Sequence, residues 1–478
     1  MLFNSFEFAI FLPVVFLLYW FVFNRNLKLQ NFFILVVSYV FYGWWDWRFL
    51  LLIFISSLVD YLVGLHLSNT EVENKKKRKI LLIVSLVVNL GILGFFKYFD
   101  FFVDSFVSTF SLFGSELNPT TLGILLPVGI SFYTLQTLSY TIEVYRGNIS
   151  PTRNPIAFFA FVSFFPQLVA GPIERAKNLL PQFLNKRSFD YDNAKDGIKQ
   201  IAWGLFKKIA IADTLAIFVN QIFDAPVEMS SGTLIVGMIF FAIQIYADFS
   251  GYSDIAIGTA KLFGFNLMIN FKYPFFARDI AEFWRRWHIS LTTWFRDYVY
   301  FPMGGSRVGT AKTVRNIFAV FVLSGLWHGA AINFIIWGIF HAIYYMPIMF
   351  LGKQKEHLGD VAEGRSLPNI KEVSQMVGTF LLFAFSMIFF RSETFGLAII
   401  YIRRMLSFLE PGIVLNAWPA IPVLVFLFVM EWKSRFSEHP LQLKIKEPWI
   451  RNIIYFVVFY LTVMYISNTA NEFIYFQF

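Results

Sequence analysis

The chain has 478 residues, 57% of them hydrophobic and 15% charged, where a soluble globule carries about a quarter charged. With 62 Phe, 21 Tyr and 13 Trp, that balance excludes a soluble domain and fits an integral membrane protein with aromatic belts at both interfaces. The absence of cysteine excludes disulfides, thiolate metal sites and a cysteine nucleophile, and the net charge of +9 reads as topological, with no case for nucleic acid.

A helix needs roughly 20 apolar residues to cross the hydrocarbon. Candidate spans lie near 3–23, 31–45, 48–66, 80–96, 97–113, 121–141, 155–172, 200–221, 232–262, 312–327, 330–351, 376–391, 394–409, 417–432 and 450–468. Several are short or interrupted by Pro and Gly, so the expectation is an all-α polytopic protein with about 11 true spans plus re-entrant or half-membrane helices. The start of the chain lacks the pattern of a cleaved signal peptide, so the first apolar segment is expected to remain as a helix. No soluble domain or internal repeat is evident, and residues 1–478 read as one membrane-embedded domain. The polar stretches 175–199 and 352–375 read as loops.

The basic run Lys75-Lys76-Lys77-Arg78-Lys79, in the loop 67–79, is expected on the cytoplasmic side. Counting back three spans places Arg25 and Lys28 inside and Met1 outside. The cations from Arg175 to Lys208, including Lys207 and Lys208, read the same way, as an ordinary topogenic loop.

Five polar islands interrupt the apolar pattern. In Leu126–Gln136, Ser131, Thr134 and Gln136 follow a Pro and a Gly, which suits a broken helix lining a passage. Pro166–Arg175 ends a span with two prolines and a charged pair, and reads as a cavity rim. Tyr246–Asp254 carries Asp248 and Asp254, which must be paired or hydrogen-bonded in the bundle interior. Arg285, Arg286 and Arg296 are the expected counter-charges, in a structural ion pair or a catalytic one. Along Ala281–Tyr298, helical spacing puts Arg285, His288, Thr292 and Arg296 on one face and Trp284, Trp287, Leu291 and Trp294 on another. Such a helix either lies along the interface or dips toward a cavity and presents His288 to it. Ser324–Ala331 sets Trp327 and His328 between apolar runs, with Gly325, Gly329, Ala330 and Ala331 small enough for close approach. An imidazole there is a buried structural histidine or a group facing a cavity or substrate path.

Walker, dinucleotide-binding, zinc-protease and serine-hydrolase motifs are absent, and six scattered histidines make a poor metal site, so no metal is expected. Two histidines at membrane depth without a cofactor signature favour acyl transfer, with an imidazole as general base or transient acyl carrier.

These segments resemble the membrane-bound O-acyltransferases, and in particular the membrane subunit of bacterial alginate O-acetylation. The resemblance is carried by Leu126–Gly147 (LPVGISFYTLQTLSYTIEVYRG), Ser163–Arg175 (SFFPQLVAGPIER), Tyr246–Gly258 (YADFSGYSDIAIG), Asp279–Gly305 (DIAEFWRRWHISLTTWFRDYVYFPMGG), Ser324–Ala331 (SGLWHGAA) and the terminal Phe473–Phe478. It covers nearly the whole chain in order. It implies that His328 is catalytic and His288 the second characteristic histidine; Asp248, Asp254, Arg285, Arg296 and Trp327 are read from the residue pattern itself as supporting residues. It also implies a bacterial inner-membrane enzyme with a central funnel and no bound cofactor. Acetyl-CoA would be the cytoplasmic donor, an exported polysaccharide the acceptor, and a periplasmic SGNH-type acetyltransferase the partner. The competing readings are D-alanyl transfer to teichoic acid, a transporter or flippase, and a scaffold in polysaccharide secretion. A transporter would depend more on Asp248 or Asp254 than on His328.

Overall fold

The computed structural model describes residues 1–111, 123, 125–407, 412, 417–466, 473 and 474. Among these, every regular element is helical. The end of the expected span 97–113, the start of 121–141, the ends of 394–409 and 450–468, and Tyr475–Phe478 lie outside the described residues.

The first helices are α1 (Phe6–Leu17), α2 (Leu27–Gly43), α3 (Leu50–Ser68), α4 (Lys75–Ser111), α5 (Ile130–Arg146), α6 (Pro155–Ser163), α7 (Phe165–Leu168), α8 (Ala176–Leu184) and α9 (Tyr191–Leu205). After them come α10 (Thr214–Asp224), α11 (Ser231–Leu262), α12 (Ile280–Arg286), α13 (Ile289–Phe295), α14 (Thr310–His328) and α15 (Ile332–Phe350). The last four are α16 (Ile370–Arg391), α17 (Phe395–Ser407), α18 (Ala420–Lys433) and α19 (Pro448–Met464). Among the described residues, five helical stretches are long and apolar enough to cross a membrane: Trp47–Ser68, Lys75–Val107, Ser231–Leu262, Ile332–Phe350 and Ile370–Arg391.

Three expectations about elements are corrected. The span 80–96 and residues 97–111 of the next one belong to one helix, because a single lysine at 97 is a good helix former and no Gly or Pro stands at the supposed boundary. The basic run Lys75–Lys79 is not loop but the first turn of that helix, where Asn74 accepts the Lys77 N–H at 3.1 Å. The polar stretch 175–199 is not loop either. It holds α8 and most of α9, because Leu179, Leu180 and Phe183 form a buried stripe that average polarity conceals.

The chain divides into two compact units, residues 1–198 with 256–268 and residues 199–255 with 269–478. The first has a polar interior. Asp60 accepts hydrogen bonds from Asn89 at 2.9 Å, from Thr141 at 3.0 Å and from Ser85. Gln136 donates to the Phe161 carbonyl and accepts from Gln167, each at 2.8 Å. The island around Gln136 starts α5 after Gly129, whose φ of 76° suits glycine, and Gln136 itself is bonded inside the bundle.

In the second unit, α14 and α15 form a hairpin packed backbone to backbone. A Cβ on Gly338 would stand 2.9 Å from the Phe321 carbonyl carbon and nearer still to its oxygen. Gly325 meets the Phe334 carbonyl in the same way. Gly338→Ala is therefore expected to cost about 1–3 kcal/mol through overpacking. Thermal unfolding in detergent checks this, and an unchanged midpoint would show that the hairpin has room to spare.

Candidate active site

Two connections carry the site, both in the second unit. His328 is the last residue of α14, just before the turn into α15, and is 4% exposed. His288 lies between α12 and α13 and is 1% exposed. The long amphipathic helix expected over Ala281–Tyr298 is thus broken at His288, whose φ of 42° puts it in the left-handed region. A residue with a Cβ pays on the order of 1–2 kcal/mol there, so surrounding contacts must hold it. Arg285, His288, Thr292 and Arg296 consequently do not share one face of one helix.

The break brings the two histidine rings close together. Their centroids are 6.3 Å apart, and Trp327 stands 5.6 Å from His288 and 5.0 Å from His328. Phe249 meets His288 edge-on at 4.6 Å, while Trp337 and Phe390 meet His328 at 5.1 and 5.3 Å. Together these rings form an aromatic box around the two imidazoles.

A third histidine, His341 on α15, extends this array. Its ring lies 4.7 Å from Trp337 and 4.8 Å from Trp284, and its Nε2 is 3.0 Å from the Ser386 hydroxyl. Sequence reasoning missed it, although a histidine inside the apolar run Ile332–Phe350 carries the same signal as His328.

The carboxylates of the Tyr246–Asp254 island find partners other than those expected. Lys207 Nζ lies 2.7 Å from Asp254 and donates to Ser250 Oγ at 2.7 Å, and Gln200 donates to Asp254 at 2.9 Å. Lys208 Nζ lies 3.0 Å from Asp248 and 2.8 Å from Asp213, and Ile474 N–H donates to Asp248 at 2.7 Å. Both lysines are buried in the π-helical stretch Phe206–Asp213, so they are interior ion-pair partners and not topogenic surface charges. The close approach depends on glycine, since a Cβ on Gly204 would collide with the Gly251 carbonyl oxygen.

The expected arginine partners are engaged elsewhere. Arg286 pairs with Glu282 at 2.8 Å and with Asp360 at 3.0 Å, and Arg278 also holds Glu282 at 3.0 Å. Arg285 donates to the carbonyls of Gln354 and His357 at 2.8 and 2.7 Å, which ties the polar stretch after α15 to α12. Arg296 is half-exposed and pairs with its neighbour Asp297 at 2.8 Å. Among the described residues, no group of three or more His, Asp or Glu could hold a metal ion.

The expected rim at Pro166–Arg175 is buried within the first unit. Glu174 accepts the Met268 N–H there, and burial pushes its carboxyl up to about 7 against the pull of Met268, Arg175 and their donors. Between its ordinary value of 4.5 and about 7 the unfolded chain sheds a proton that the folded one keeps. Stability from this group is therefore present at low pH and lost as pH rises through that window, on the order of 3 kcal/mol in all. Glu174→Gln is expected to flatten the pH dependence of the unfolding midpoint between those values, and an unaltered slope would refute the assignment.

Residues 48–390 match the model of the membrane-bound O-acyltransferase family. A probable alginate O-acetylase of Pseudomonas putida is 41% identical over 409 residues, covering 85% of this chain and 81% of that protein. The peptidoglycan O-acetyltransferase of Helicobacter pylori is 38% identical over 373 residues, 72% of this chain and 69% of the relative. The teichoic acid D-alanyltransferase of Bacillus subtilis is more distant, 31% identical over 47% of this chain. The chain belongs to the membrane-bound O-acyltransferase family and is an acyltransferase.

Proposed function

We propose that the protein takes an acetyl group from cytoplasmic acetyl-CoA and passes it toward O-acetylation of an exported, alginate-type polysaccharide in the bacterial inner membrane. The observation that carries this reading is the buried pair His288 and His328, 6.3 Å apart inside an aromatic box. In the step assigned to it, His328 removes the proton of an acceptor hydroxyl as that oxygen attacks the thioester carbonyl. The carbon–sulfur bond then breaks, and the departing thiolate takes the proton back from the imidazolium. His288 shares the proton or orients the acceptor, and Trp327 with the surrounding rings keeps bulk water from the thioester. An imidazole that carries the acetyl transiently is the alternative within the same site.

The acceptor class follows the alginate and peptidoglycan O-acetylating relatives, which match far more of the chain than the D-alanyltransferase does. About 11 crossings around a central funnel, Met1 outside and Lys75–Lys79 inside, complete the proposal, with a periplasmic SGNH-type partner finishing the transfer. The test is transfer of radiolabel from acetyl-CoA by the purified protein in lipid nanodiscs, alone and with such a partner. Label reaching water, the partner or the polysaccharide supports the proposal. Equal background with and without the protein, in the presence of partner and polysaccharide, refutes acetyl-CoA as donor.

A further inference from the structure

His288 occupies the position just before α13 where a helix receives its N-cap, yet its side chain makes no capping bond. The first N–H groups of a helix need acceptors, and the cap residue ordinarily supplies one from its own side chain. Here a residue distant in sequence supplies them. Asn270 accepts the Ile289 N–H on its backbone oxygen at 2.9 Å. Its Oδ1 accepts the Ser290 N–H at 3.3 Å and the Ser290 hydroxyl at 2.9 Å. Its Nδ2 donates to Ser253 Oγ at 3.2 Å, on the α11 turn that also carries Asp254. Two residues further on, the Lys272 N–H donates to the Arg286 carbonyl at 2.9 Å, so backbone bonds bracket Trp287 and His288 on both sides. Asn270, Ser253 and Ser290 are all buried, so water does not compete for these bonds.

We infer that Asn270 is a positioning residue for His288: it caps α13 in place of the histidine, holds the left-handed backbone there, and so keeps the imidazole turned toward Trp327 and His328. The inference rests on the reading of His288 and His328 as the reacting centre. The chemistry of the amide suits the task. It needs an acceptor for two donors of Ser290 and a donor for Ser253, which asparagine provides on one short side chain. Aspartate keeps the acceptor but lacks the N–H, and alanine lacks both. Left without that acceptor, the first turn of α13 would draw on an ordinary cap conformation at residue 288, which swings the ring away.

The test uses full-length protein in nanodiscs with ring-labelled histidine, read by solid-state NMR and by acetyl transfer. In Asn270→Ala the His288 ring signals, identified by their loss in His288→Ala, should shift while those of His66 stay. Turnover should fall about 10- to 100-fold, with little change in the Michaelis constant for the donor. The Asn270→Ala change should add almost nothing to His288→Ala, and Asn270→Asp should recover part of the loss. Losses that multiply in the double variant, or unmoved ring signals, would overturn the inference and leave Asn270 a structural residue. Full turnover by His288→Ala would instead remove the reacting centre itself, a different signature from either. Should Asn270→Ala fail to fold, Ser253→Ala and Ser290→Ala each delete one of its side-chain partners and are judged by the same criteria.

Discussion

Replacing His328 by alanine is expected to lower acetyl transfer at least about 10²- to 10⁴-fold, the range a positioned general base contributes, and more if the ring also carries the acyl group. The protein should remain folded. His328 ends α14 at a turn, so no helix depends on its backbone beyond that point, and of the rings around it Trp337 and Phe390 keep their mutual contact when the imidazole is removed. The cavity left by the lost ring is the expected structural cost, a few kcal/mol at most by analogy with other buried large-to-small changes. Label transfer and the unfolding midpoint, measured on the same preparation, separate the two effects. A folded His328→Ala protein with wild-type turnover would end the catalytic assignment and return weight to a transport role. In that case substitutions at Asp248 and Asp254 should be the damaging ones.

The second large effect concerns the ion pairs behind the site. Lys207→Met is expected to destabilise the protein by about 1–3 kcal/mol, because it leaves the largely enclosed Asp254 carboxylate with only the Gln200 amide as hydrogen-bond donor. Adding Asp254→Asn removes the orphaned charge, and the double variant should regain most of the loss. Unfolding midpoints of the two single variants and the double variant give the coupling directly. Additive losses would show that Lys207 and Asp254 act independently, contrary to their 2.7 Å separation. Turnover of the recovered double variant then tells whether the pair serves only the packing of α11 or also the chemistry at His288, whose neighbour Phe249 rides on the same helix.

A good part of the protein was legible in its residues. Membrane residence follows from composition, and the helical class from the length of the apolar runs. Asp248 and Asp254 had to be interior, since two carboxylates in the middle of a 32-residue apolar helix have no tolerable place in lipid. His328 stood out by the same reasoning. His341 and the adjacent Lys207 and Lys208 carried that signal too, and were passed over because a nearby basic run lent the lysines a topogenic look.

What the residues alone determined was which groups cannot face lipid; what only the tertiary structure decided was who their partners are. Arg285, Arg286 and Arg296 are nearer in sequence to the carboxylates' helix than many cations, yet they bind the stretch after α15, Glu282 and Asp297, while Lys207 and Lys208 reach α11. Burial cost depends on a residue's own charge, so it can be read locally, whereas pairing depends on which helices become neighbours. His288 shows the same division. Helical spacing placed it on a continuous amphipathic helix, because a regular pattern contains no sign of a left-handed residue without glycine. That conformation holds only where Asn270, eighteen residues earlier, meets the amides that follow, and bonds made across the fold outweigh a local preference worth about 1–2 kcal/mol.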